Sequence, residues 1–312
     1  MGSRSSHLRA KVVALLVSLA ALWVFAAWVT LRDGLNLLWV QTYNTHIAQP
    51  MDPLLLELQR ERQQSVVYLA NRNSQRHQEL ESTRDRVRTL AKEFSDKATS
   101  LRARMASGSE LEQRIDELIG GLDELARTRQ AVDDGDIDRA STVQAYSTVL
   151  DTLFLVYDSL GQLDQPEIAK DTANLIELNR GRELLAQENA LISGVIAAGR
   201  MSPEEYTRFV HLVGARRHTL ETTVVRLPDA DRARYQQMAS GAAFKQLLAV
   251  EDALLQNSRP GGNLLVDAAT WQSSVDPVLA DLREVVIAGG DDVVDRAAPF
   301  AAGVIIRMVL AA

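Results

Sequence analysis

Between Pro53 and the next proline, Pro166, lie 112 residues whose apolar members return every three or four positions. Proline removes a backbone donor and clashes with the turn before it, so a proline-free stretch of this length leaves helix unobstructed. Val87, Leu90, Ala91, Phe94, Ala98, Leu101 and Met105 form one stripe. That is the spacing of a helix face, whereas a strand would alternate at every residue. Leu111, Ile115, Leu118, Leu122 and Leu125 continue in steps of four and three, the pattern of a heptad seam. Pro53 suits the first turn of a helix, where its missing donor has no partner to lose. The spacing predicts one rod from about residue 53 to 129, broken or looped at Gly108 and Gly120-Gly121.

The same period continues downstream. Helices are expected at about residues 141–163 and 168–198, from Pro203, from Pro228-Asp229, at 267–286, and from Asp291 onward. Gly199 is a C-terminal stop. Ser202-Pro203-Glu204-Glu205 places serine at the N-cap, proline at N1 and glutamate at N3, a strong helix start. The segment Arg-Pro-Gly-Gly-Asn at 259–263 is a loop. Aromatic residues make up only 5% of the chain, while alanine, leucine, arginine, glutamate and glutamine, all good helix formers, are plentiful. The expected fold is all-α: an N-terminal transmembrane helix, then long up-and-down helices forming two stacked bundles.

The transmembrane expectation rests on residues 12–30, nineteen consecutive residues without a charge. About 20 apolar residues cross the hydrocarbon core as a helix. A cleaved signal is the alternative, but its apolar region is ordinarily 7 to 15 residues. Trp23 and Trp28 sit in the outer half, where interfacial aromatics anchor a span, and Arg4, Arg9 and Lys11 hold the N-terminus in the cytoplasm. Residues 1–11 are therefore read as cytoplasmic, 12–31 as the transmembrane helix and 32–297 as an extracellular domain on the cell membrane, in contact with lipid. Residues 298–312 are apolar but short and contain Arg307; they read either as an amphipathic terminal helix or, preferred, as the start of a truncated second span.

Chemistry is sparse. The chain has no cysteine, so disulfides, zinc-thiolate sites and cysteine nucleophiles are excluded. Net charge −7 and pI 5.4 exclude a nucleic-acid partner. No phosphate loop and no G-x-S-x-G turn occurs. His211, His218 and Glu221 share a helix face but lack the H-E-x-x-H spacing, and are read as solvent-facing. No catalytic residue, metal site or cofactor is expected. Between residues 60 and 104 eleven basic side chains face six acidic ones, mostly as a solvated surface. Arg62 differs. Leu55, Leu58, Arg62, Val66 and Leu69 share one stripe, which puts a guanidinium in the core beside Ser65. A buried charge needs a partner, either an internal carboxylate (Glu183 or Glu188) or a small planar anion that the arginine fork fits.

Glu61-Arg62-Gln63-Gln64-Ser65-Val66-Val67-Tyr68-Leu69-Ala70 resembles the E-R-x-x-S-x-x-[YF]-L-A segment that opens the nitrate- and nitrite-sensing (NIT) domain. Residues 182–191 (RELLAQENAL) resemble its mid-domain helix. Ala269-Thr270-Trp271 through residues 281–285 (DLREV) resemble its closing helix. The resemblance spans about residues 35–297 and implies an all-helical sensor, found in transmembrane sensor histidine kinases, chemoreceptors and some antiterminators; the composition resembles actinobacterial kinases. It implies a small-molecule or anionic ligand such as nitrate or nitrite, a homodimer, with the heptads at 111–125 offering a seam, and a response regulator reached through a kinase domain not among these residues. The family's first arginine matches Arg62. The arginine after the mid-helix glutamate is replaced by Asn189, with Arg180 and Arg182 one to two turns earlier, and Val278 and Leu279 stand on the closing helix where a basic residue would be sought. Expected ligand contacts are Arg62, Ser65, Arg180 and Arg182. A helical scaffold or adhesion protein without enzymatic activity, and a chemoreceptor fragment, are the alternatives.

Overall fold

The structure, a computed structural model, describes residues 22–23, 44–100, 103, 108–160, 166–258, 261–262, 264 and 266–311. For 160, 166–167 and 297–311 it describes the backbone alone. By its contacts the chain divides into Tyr43–Val293 and a second unit grouping Met1–Thr42 with Val294–Ala312. Among the described residues there is no strand, and no helix is long and apolar enough to cross a membrane. The expected span at 12–31 lies outside the described residues except for Leu22 and Trp23, both helical and exposed.

A π-helical turn at Asn44–Ala48 leads into α1 (Gln49–Ala70), with Pro50 and Pro53 at its start. Then follow α2 (Ser74–Ala98), α3 (Ser109–Asp134), α4 (Arg139–Leu160), α5 (Pro166–Ala198), α6 (Pro203–Val224), α7 (Asp229–Ser240), α8 (Ala242–Asn257) and α9 (Ala268–Ala311). The expected rod from 53 to 129 does not exist. It breaks at Asn71-Arg72-Asn73, where Asn71 is extended and the Asn73 side chain accepts from the Arg76 backbone N–H at 2.9 Å to cap α2. Asparagine side chains compete for backbone hydrogen bonds and favour caps and turns. That local chemistry outweighs the continuing apolar period, and α2 folds back against α1.

Gly120-Gly121, expected to interrupt a helix, and Gly289-Gly290, in the gap between two expected helices, lie inside helices instead. Gly120-Gly121 is mid-helix in α3, and a Cβ on Gly121 would sit 3.5 Å from Val149 of α4. Gly289-Gly290 lies within α9, where a Cβ on Gly289 would come within 2.5 Å of Leu175 on α5. Gly289 serves close approach of helices, whereas a side chain on Gly121 would make ordinary van der Waals contact. Other boundaries fall as expected: Gly108 precedes α3, Gly199 ends α5 with φ +75°, and Ser202 and Glu205 form both halves of a capping box.

Ile47 of the π-helical turn and Met51, Leu54, Leu55 and Leu58 from the start of α1 join Val87 and Phe94 of α2 in one apolar core. The whole heptad series of α3 and Tyr146 to Val156 of α4 complete it. The heptad residues are thus buried against their own chain and leave no exposed seam. The second half of α5 is buried nearly all round, with α6, α8 and α9 contributing Phe209, Leu220, Leu247, Leu254, Trp271, Val275 and Leu282. Each fully buried Leu or Phe contributes roughly 1.5–3 kcal/mol relative to exposure. α1 packs against α2, α4 and α5, so its side chains face both groups of helices.

Candidate ligand-binding site

The stripe of α1 that begins with Leu54, Leu55 and Leu58 changes character after one turn: Gln59, Glu61, Arg62 and Ser65 are buried among apolar neighbours. Because α1 faces helices on two sides, consecutive residues can point into different surroundings. Glu61 takes two hydrogen bonds from Arg129 of α3, at 2.7 and 2.8 Å, and one from the Tyr146 hydroxyl of α4 at 2.6 Å. Arg84 of α2 lies 3.8 Å from the same carboxylate and is itself held by Glu81 and Asp133. Burial and the Glu61 charge push the Tyr146 hydroxyl up from its ordinary pKa.

Arg62 faces the other way and is wholly buried. It donates to Glu183 of α5 at 2.6 and 3.3 Å and to the Ser147 hydroxyl at 3.2 Å, and its Nε has no partner among the described residues. The internal-carboxylate alternative, with Glu183, is what the geometry shows. Gln59 also donates to Glu183, at 2.6 Å, while its amide oxygen accepts from Arg182 Nη1 at 3.2 Å. Arg182 Nε donates to the Leu279 carbonyl of α9 at 3.1 Å.

Arg182 is the unusual group. Only 4% exposed, it forms no ion pair among the described residues and is held by a neutral amide and a backbone carbonyl. Burial depresses its pKa, against the opposing charges of Glu183 and Asp52, with Arg283 reinforcing the depression. A buried guanidinium without a bonded anion is costly.

Of the four residues expected from sequence, the structure brings Arg62 and Arg182 to one bonded pair, Arg62 to Glu183 and Arg182 to Gln59. It does not bring the others there. Arg180 pairs with Asp158 and Glu177 and lies over the Phe154 ring, and Ser65 meets the Tyr146 hydroxyl at 3.4 Å. Asn189, in the position of the family's arginine, accepts from Trp271 Nε1 at 2.9 Å. The signal that marks Arg62, a charge on an apolar stripe, also occurs at other positions that the sequence reading passes over, two of them arginines. Arg84 continues the stripe of Leu80 and Val87, and Arg216 that of Val213 and Leu220. Arg216 is fully buried between Glu188, at 2.8 Å, and Glu251, at 2.5 Å. Burial, then the nearby Glu251 charge against the pull of Arg216, raises Glu188 to about 8. His211 and His218 are exposed, as expected.

The family described as nitrate and nitrite sensing, NIT, matches residues 53–294, more than three quarters of the chain. The chain belongs to the NIT family. The NIT match begins within α1 and ends within α9, so the buried polar layer lies wholly inside it. A solved structure of the NasR transcription antiterminator superposes on this NIT chain with a TM-score of 0.73 at 19% identity, covering 94% of this chain and 78% of that one. At that identity the likeness establishes the fold. No curated protein matches the chain.

Proposed function

We propose that this NIT domain binds a small planar anion, nitrate or nitrite, between α1, α5 and α9, and that Arg182 supplies the charge. The observation that carries this reading is the buried Arg182 guanidinium with only neutral acceptors, linked to Arg62 through Gln59 and Glu183. An anion beside it would provide the missing counter-charge and would accept charge-assisted hydrogen bonds from a fork suited to planar oxyanions. Gln59, which touches both Arg182 and Glu183, would report occupancy to α1. Because α1 and α9 are tied to the site, a shift between them is the signal.

The domain is further proposed to be the extracellular sensor of a membrane-bound two-component receptor, a sensor histidine kinase whose catalytic part lies outside these residues. The nineteen-residue uncharged run at 12–30 supports that placement. Pairing of two copies would use surfaces other than the buried heptads. The likeness to the NasR transcription antiterminator offers, as a second reading, a transcription regulator, and the apolar run is what separates the two.

Calorimetry on the full chain tests the ligand, with saturable heat expected for nitrate or nitrite and none for chloride; no heat with either oxyanion overturns it. Placement is tested by Glu124→Cys, which puts a single thiol at an exposed site of a chain with no other cysteine. A membrane-impermeant maleimide added to intact cells should label it. Labelling only after lysis overturns the receptor reading.

A further inference from the structure

A cleft of about 1000 Å³ opens where the end of α1, the α3–α4 connection, α5 and the start of α6 meet. Neither Arg62 nor Arg182 lines it. Its apolar wall comes from Val66, Leu69, Val143 and Leu191. Most of its charged groups are already engaged. Arg139 bonds Glu205 at 2.9 and 2.5 Å, and Glu205 also accepts from the Ser202 N–H. Arg72 donates to the Val132 carbonyl at 2.6 Å. Asp138 caps α4 through the Ser141 N–H, and Asp134 accepts from Gln130.

Arg208 is the exception. It lines the cleft from α6, has no ion pair among the described residues, and its Nε is buried without an acceptor. His211, three residues on and also in the lining, adds a second donor or acceptor. A cleft with an apolar wall, an arginine free of ion pairs among the described residues and this volume has the make-up of a small-molecule site. Nitrate, with four heavy atoms and no apolar part, would leave the wall and most of the volume unused.

We infer that this cleft is a second ligand site, separate from the proposed nitrate site, which takes an organic anion: a carboxylate on Arg208 with an apolar body against Val66, Leu69 and Leu191. Arginine donates two parallel bonds to a carboxylate, and the wall adds affinity in proportion to the apolar area covered. Glu204, exposed at the rim, selects against molecules carrying several negative charges.

The probe is benzoate, titrated calorimetrically into the full chain in detergent, with its uncharged isostere benzamide and with acetate, which lacks the ring. Benzoate should bind saturably, with benzamide and acetate each at least tenfold weaker. Arg208→Gln should weaken benzoate at least tenfold, Arg208→Lys less, and Arg182→Gln not at all. Because Arg208 is partly exposed, its replacement spares the fold, which the thermal midpoint checks. Absence of saturable benzoate binding, benzamide equal to benzoate, an unchanged Arg208→Gln titration or competition by nitrate would each overturn the assignment. None of these results bears on whether nitrate binds at Arg182.

Discussion

Arg62 and Arg182 reach one hydrogen-bonded pair from two helices, Arg62 through Glu183 and Arg182 through Gln59, and what separates them is a carboxylate. Arg62 has Glu183; Arg182 has an amide and a carbonyl. Breaking a buried pair strands its partner, so Glu183→Ala should cost about 3–5 kcal/mol of stability. Replacing both members by apolar residues of similar size (Arg62→Met with Glu183→Leu) should cost less than Glu183→Ala alone. Denaturant titration of the three proteins checks this. Glu188 offers a pH test with a defined sign. Its folded pKa is raised to about 8 from an ordinary 4.5, first by burial. The folded state therefore holds a proton that the unfolded chain releases, and stability falls as pH rises from about 4.5 to about 8. Glu188→Gln should flatten that decline in the thermal midpoint; an unchanged pH profile would show that Glu188 does not titrate in the window. Arg62 is legible in the sequence because a charge interrupts an apolar stripe. The same criterion, applied throughout, reaches Arg84, Arg216 and Glu251, which interrupts Leu247 and Leu254. Their partners are not legible, because each comes from another helix and depends on how the helices pack.

At the scale of elements, caps are legible and hairpins are not. Ser202 and Glu205 carry their capping chemistry within four residues, and Ser202→Ala should cost about 1 kcal/mol. The α1–α2 reversal at Asn71-Arg72-Asn73 is hidden because the apolar period resumes on the far side of a short polar break. Glycine is ambiguous for a related reason. In sequence a helix interruption and a close helix contact look alike, and only the neighbour tells them apart. The two cases predict opposite effects in one fold. Gly120 faces open space, so Gly120→Ala should stabilise by about 0.5–1 kcal/mol. A Cβ on Gly194 would meet Val66 Cγ1 at 2.3 Å, so Gly194→Ala should destabilise by about 1–3 kcal/mol. Adding Val66→Ala should recover part of that loss. Thermal or denaturant midpoints of these variants measure the contrast, and equal effects at Gly120 and Gly194 would contradict the packing of α1 on α5.

At the scale of the whole molecule, helical class and family membership follow from periodicity and motif order, and the resemblance puts Arg182 among the expected contacts, while the groups that hold it follow from neither. The closing helix lacks a basic residue at Val278 and Leu279, yet a guanidinium reaches the Leu279 backbone because α5 supplies Arg182 from across the interface. If that arginine completes an anion site, its removal weakens affinity while leaving the apolar cores intact. The most direct measurement is nitrate titrated into the full chain and into Arg182→Gln under the same buffer and salt. Removing a charge-assisted hydrogen bond to the anion should weaken binding by about 1–3 kcal/mol, roughly five- to 150-fold, with Arg182→Lys between the two. Equal nitrate affinity in the full chain and Arg182→Gln, with both proteins folded, would contradict the account.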